Sequence, residues 1–194
     1  MNTSKRAFII HGWDGYPEEG WFPWMKRELE QRGFVVEVPS MPHPSEPTID
    51  DWVDRVASLV GEPDENVYLI GHSIGCQTIL RYVAALDGKK IGGAVLVAGF
   101  FELVPLKTDE EKRITKPWLE TPIDFAKVKE ATTNITVILS DNDEWVPLEG
   151  NKQLFEQYLA PRMIVEHAKG HYSGSSGVKE LPAALEAVLR YAKV

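Results

Sequence analysis

Val67-Tyr68-Leu69-Ile70-Gly71-His72-Ser73-Ile74-Gly75-Cys76 decides how this chain folds. A short apolar run reaches a Gly-x-Ser-x-Gly turn, and Cys76, Ile79, Leu80 and Val83 follow at helical spacing. Strand, tight turn and helix in immediate succession lift a serine hydroxyl above the edge of a sheet. So sharp a reversal holds the serine in a strained backbone conformation. Glycine at 71 and 75 removes the side chains that would collide where the helix starts beside the strand it has just left. Ser73 is the candidate nucleophile. Glycine and serine are also ordinary turn residues, so the motif gains meaning only from partners elsewhere in the chain.

Outward from this turn, residues 7–10, 34–38, 94–98, 135–139 and 163–165 read as further short strands beside 67–70. Several are apolar throughout, as in strands covered on both faces of a parallel sheet. Helical patterns separate them. Trp21, Phe22, Met25 and Leu29 run up to Gly33, and Ile49, Trp52, Val53, Val56, Leu59 and Val60 follow a capping pair, Thr48 and Asp51. A helix is expected around 148–159, and a closing one carries Val178, Leu181, Leu185, Val188 and Ala192 on one face. Residues 99–133, with three prolines and the charged run 109–113, break this rhythm. The alternation predicts an α/β fold as one domain over 1–194: a mainly parallel sheet of about six strands with helices on both faces.

Composition narrows the partners. The chain has 194 residues, 43% hydrophobic and 26% charged, with a formal net charge of -8. An acidic chain with no basic run is a poor match for nucleic acid or an anionic membrane. One cysteine excludes an internal disulfide framework. The residues before the first strand lack the pattern of a signal peptide, so a cytoplasmic protein acting on a small molecule is expected.

In such sheets ligands gather at the carboxyl ends of the strands, here the loops after residues 10, 70, 139 and 165. A serine hydroxyl needs a base to take its proton and a third group to orient that base. Ser73 follows the third strand, Ser140-Asp141-Asn142-Asp143-Glu144-Trp145-Val146-Pro147 the fifth, and Gly170-His171-Tyr172 the sixth. Asp141, Asp143 and Glu144 compete as the acid, and His167 and His171 as the base. The glycine before His171 suits a loop folding back over the turn. The N–H groups of Ile74, at a helix N-terminus, and of Trp13, after the first strand, are the candidate oxyanion donors.

Together these pieces resemble the α/β-hydrolases, and within them the small serine hydrolases of the retinoblastoma-binding protein nine and YdeN type. The resemblance rests on Ile10-His11-Gly12-Trp13, Trp21-Phe22-Pro23-Trp24, the proline-rich segment ending at Trp52, Gly71-His72-Ser73-Ile74-Gly75, Asp143-Glu144-Trp145-Val146-Pro147 and Gly170-His171. It implies Asp143 as the acid, from the Val-Pro that follows, and His171 as the base. It also implies the absence of a large lid domain and of any cofactor. Ser140 departs from the pattern, standing where many α/β-hydrolases begin the acid loop with glycine.

The expected activity is a carboxylesterase-like hydrolysis of small acyl esters through an acyl-enzyme on Ser73, Asp143 and His171. The competing reading is a binding protein that keeps the fold without turnover. Trp13 and Trp145 flank the loops and are expected to line a substrate pocket, whereas Phe100, Phe101 and Trp118 read as core. Cys76 reads as a small buried residue, His72 as packing or hydrogen bonding, His11 as shaping the oxyanion loop, and His43 as surface. His167 and His171 are four apart, but no helix or third ligand accompanies them, so no metal is expected. The 109–113 run reads as a solvated face.

Overall fold

The computed structural model describes residues 4–194. Six strands, β1 (Arg6–Ile10), β2 (Val35–Glu37), β3 (Val67–His72), β4 (Gly93–Val97), β5 (Ile135–Ser140) and β6 (Arg162–Glu166), form one sheet in the order β2-β1-β3-β4-β5-β6. Every pairing is parallel. β3 lies between β1 and β4, so its carboxyl end opens at the middle of the sheet, where loops from both neighbours can reach it.

The apolar runs explain the layering. Every residue of β3, β4 and β5 is buried, which requires cover on both faces. One face carries α2 (Ile49–Val60), α3 (Ile74–Ala84) and α6 (Leu148–Leu159), whose Trp52, Val56, Ile79, Leu80 and Phe155 pack on Leu69, Leu96 and Val137. The other carries α1 (Phe22–Glu30) and α7 (Pro182–Ala192), whose Phe22, Met25, Leu29, Ala184 and Val188 pack on Ile9, Ile70 and Val95. The Thr48 hydroxyl accepts the Asp51 N–H at the start of α2, as its capping pair predicts. No helix among the described residues is long and apolar enough to cross a membrane.

Residues 99–133 contain two helices, α4 (Asp109–Glu120) and α5 (Phe125–Ala131). The charged run is the first turn of α4. Thr108 and Glu111 cap it reciprocally, placing acidic side chains at the positive end of the helix dipole. The segment is pinned to α3. Gln77 donates to the Phe100 carbonyl at 2.6 Å. One turn further on, the buried Arg81 guanidinium donates to the carbonyls of Trp118, Thr121 and Pro122. On α6, the fully buried Asn151 accepts the N–H groups of Phe101 and Glu102 and donates to the carbonyls of Glu102 and Pro147. Asn151→Leu would leave four main-chain groups without this partner. It is expected to lower stability by about 3 kcal/mol in chemical denaturation.

Candidate active site

Ser73 sits between β3 and α3 with φ 54° and ψ -119°. A non-glycine residue held there costs of order 1–3 kcal/mol and persists only where its surroundings fix it. Here the Ser73 N–H donates to the Val97 carbonyl at 2.9 Å, and the Ser73 carbonyl accepts the Cys76 N–H. A Cβ at Gly71 would lie 2.8 Å from the Cys76 nitrogen, and one at Gly75 would collide with the carbonyl oxygens of Ile10 and His11. Both collisions are with main chain, which cannot move aside as a flexible side chain can. The turn needs its two glycines.

The loops that carry the candidate acid and the candidate base meet beside this turn. His171 Nδ1 lies 2.8 Å from Asp143 Oδ2. The Asp143 side chain is 2% exposed, and its Oδ1 accepts the N–H groups of Trp145 and Val146 at 2.8 and 3.0 Å. These bonds aim Oδ2 at the imidazole. The rival pair goes elsewhere: His167, 89% exposed, contacts Asp141 at 2.6 Å. The Ala168 N–H, and after it His167, hold the Asp141 carboxyl below its usual range. Glu144 is exposed. His171 thus shares the pocket with Ser73 and is backed by Asp143, and Asp141 and His167 form a separate surface pair.

Ser140, the departure from the family pattern, has a visible place in this arrangement. Its hydroxyl donates to Asn142 Oδ1 at 2.8 Å and accepts the Lys169 N–H at 3.0 Å. Asn142 Oδ1 also accepts the Gly170 N–H at 2.8 Å. With Asp141 on Ala168 and Asp143 on His171, the side chains of residues 140–143 hold residues 168–171. A glycine at 140 would lack that hydroxyl.

At the end of β1, the buried His11 donates from Nδ1 to the Gly12 carbonyl at 2.8 Å and accepts the Met41 N–H at Nε2. Gly15 N–H reaches the same carbonyl at 3.1 Å. Peptide planarity turns the Trp13 N–H the opposite way. The Trp13 ring is tied to the Ser45 carbonyl at 2.9 Å. Ile74 is the first residue of α3, where the N–H has no intrahelical acceptor. Gly12, Trp13, Ser73, Ile74 and His171 all line one pocket of about 370 Å³.

Trp13 and Trp145 line that pocket. Phe100 is core, as its sequence context predicts, and it also forms pocket wall, with its carbonyl held by Gln77. Leu103, Leu106, Glu111 and Thr115 complete the wall from the 99–133 segment. Within the 109–113 run only Glu111 lines the pocket, while Asp109, Glu110, Lys112 and Arg113 are exposed, as a solvated face predicts. The Thr108-x-x-Glu111 box was the available signal for α4. Trp118 is core, edge-on to Trp52, and Cys76 is fully buried, its thiol pushed up by burial. His43 is exposed. Among the described residues no group of three or more His, Cys, Asp or Glu is arranged to hold a metal ion.

Two buried histidines set an acid limit on stability. Burial, with His171 nearby, pushes His72 down to about 3 from 6.5, and burial also lowers His11. Both are depressed, so the unfolded chain binds protons that the native one refuses. The stability that these two neutral imidazoles contribute is fully present above about pH 6.5 and is lost as pH falls toward 3. His72 contributes a slope approaching about 1.4 kcal/mol per pH unit inside that window. Urea unfolding at stepped pH checks this, and His72→Phe should flatten the curve.

A parallel sheet with a serine raised on a strand–turn–helix elbow, and an acid and a histidine on later loops, is the α/β-hydrolase architecture. The chain belongs to the serine hydrolase family, whose model matches residues 7–190. It is 32% identical over 189 residues to the YdeN protein of Bacillus subtilis (strain 168), covering 97% of this chain and 96% of that one. The crystal structure of the B. subtilis ydeN gene product superposes with a TM-score of 0.89 at 29% identity, covering 98% of this chain and 100% of that one. Est1E from Butyrivibrio proteoclasticus shares the fold at 18% identity, with a TM-score of 0.75 over 100% of this chain and 90% of that one.

Proposed function

We propose that this hydrolase is a carboxylesterase-like enzyme that cleaves small acyl esters in the cytoplasm, with no cofactor. The observation that carries the reading is the His171–Asp143 contact at 2.8 Å, with His171 lining the same pocket as Ser73. Ser73 attacks the ester carbonyl while His171 takes its proton, and Asp143 orients the imidazole and stabilises its charged form. The N–H groups of Ile74 and Trp13 receive the oxyanion. His171 returns the proton to the departing alcohol. Water, activated by His171, then hydrolyses the acyl-enzyme and frees Ser73.

The pocket supports a small acyl group. Its volume of about 370 Å³ lies near the lower end of ligand sites generally. Ile74, Phe100, Leu103, Leu106 and Trp145 give it apolar walls. A series of p-nitrophenyl esters of increasing acyl length tests this directly. The expected result is highest kcat/KM for short chains, falling beyond about eight carbons. Preference for longer chains contradicts the small-pocket reading, and no turnover across the series contradicts the esterase reading.

A further inference from the structure

His72 lies inside the elbow, 4% exposed, and takes no part in the chemistry above. Its Nε2 is 2.7 Å from the main-chain carbonyl of His171, ninety-nine residues away. A carbonyl only accepts, so His72 is the donor and carries its proton on Nε2. Its Nδ1 is buried without a partner among the described residues. The ring packs against Phe22 and the His171 imidazole, with centroids 6.1 and 5.0 Å away.

The His171 loop needs such a hold. Gly170 and Tyr172, on either side of His171, both have left-handed backbone, with φ of 55° and 56°. For tyrosine that conformation is strained and depends on its surroundings. Asp143 steers the imidazole at Nδ1, but a ring can pivot about Cα unless the main chain is also fixed. The His72 donor fixes it at the residue itself, and the Trp21 ring N–H holds the next carbonyl, that of Tyr172, at 3.1 Å.

We infer that His72 is a positioning residue that ties the main chain of His171 to the strand bearing Ser73, so that base and nucleophile keep one geometry. The inference rests on the esterase reading above. An apolar ring would fill the same space without an orphaned Nδ1, so packing alone does not account for histidine here. Charge fits the same role. The titratable groups facing His72 are His171, Asp143 and His11. Burial and the neighbouring His171 keep His72 neutral, so it adds no repulsion when His171 takes up a proton.

His72→Phe keeps the ring and removes the donor, whereas His72→Gln puts an amide N–H near the position of Nε2. On a short-chain p-nitrophenyl ester, His72→Phe should lower kcat about 10²-fold with KM nearly unchanged, as for a misplaced catalytic group. His72→Gln should restore most of that loss. Thermal melts establish that both variants fold. Wild-type kcat in His72→Phe, or equal losses in both folded variants, overturns the inference while leaving the esterase reading standing. If His72→Phe does not fold, His72→Gln decides, and a loss in it as large as about 10²-fold overturns the inference. Nitrogen-15 NMR of the wild-type imidazoles supplies a readout independent of turnover. The expected signal is a neutral His72 protonated at Nε2 down to about pH 4, and an Nδ1–H tautomer overturns the inference. A wild type with no esterase activity removes the esterase reading and this inference together.

Discussion

Ser73→Ala is expected to fold as the wild type does and to lose ester hydrolysis by about 10⁶-fold in kcat, the scale seen when an activated serine is removed from a protease. The hydroxyl is the only group deleted. The main-chain bonds that shape the turn, Ser73 N–H to Val97 and Cys76 N–H to Ser73, do not involve it. Alanine meets the same left-handed strain at φ 54° that serine already bears. Unchanged thermal stability beside abolished turnover, measured by melts and initial rates, therefore separates chemistry from folding. Residual activity within about tenfold of wild type would place the nucleophile elsewhere.

Asp143→Asn is expected to lower kcat by about 10⁴-fold, since an amide in place of the carboxylate stabilises the wrong imidazole tautomer and cannot support its positive charge. Oδ1 of the asparagine would still accept the N–H groups of Trp145 and Val146, so the loop should keep its shape. Asp141→Asn is the internal control. It has the same chemistry two residues earlier, in contact with a histidine that is 89% exposed. It should leave kcat unchanged, because its partner His167, unlike His171, does not line the pocket. If Asp141→Asn caused the larger loss, the pairing of acid and base would have to be reassigned.

Much of this fold was legible because its signals are local. The apolar runs marked the strands, and α6 spans Leu148–Leu159, where the sequence pattern predicts a helix. The strand ends were less clear. β3 continues through Gly71 and His72, which are not apolar, because their main-chain groups pair in register with Leu96 and Val97 of β4. α4 was hidden by Pro117 and by a charged first turn, with Ile114, Thr115 and Trp118 as its buried residues.

The geometry of the site was legible in part, for the same physical reason. Ser73, Asp143, His171 and Trp13 lie in short motifs that carry their own turn chemistry. The groups that hold them do not. Ser140 and Asn142 reach residues 28 or 29 positions away, Asn151 reaches back 49 and 50, and His72 reaches 99. Nothing in the sequence around any of them indicates what it will meet after folding. The family pattern marked Ser140 only as a departure, whereas its hydroxyl accepts the Lys169 N–H and donates to Asn142 in the loop that carries His171.

The central claim, that Ser73 is an activated nucleophile, is tested most directly by reaction with a fluorophosphonate followed by mass spectrometry of the digested protein. The account predicts one adduct, on the peptide containing Ser73, with no labelling of Ser73→Ala and strongly slowed labelling of His171→Ala. An adduct on another residue, or equal labelling of wild type and Ser73→Ala, would contradict it.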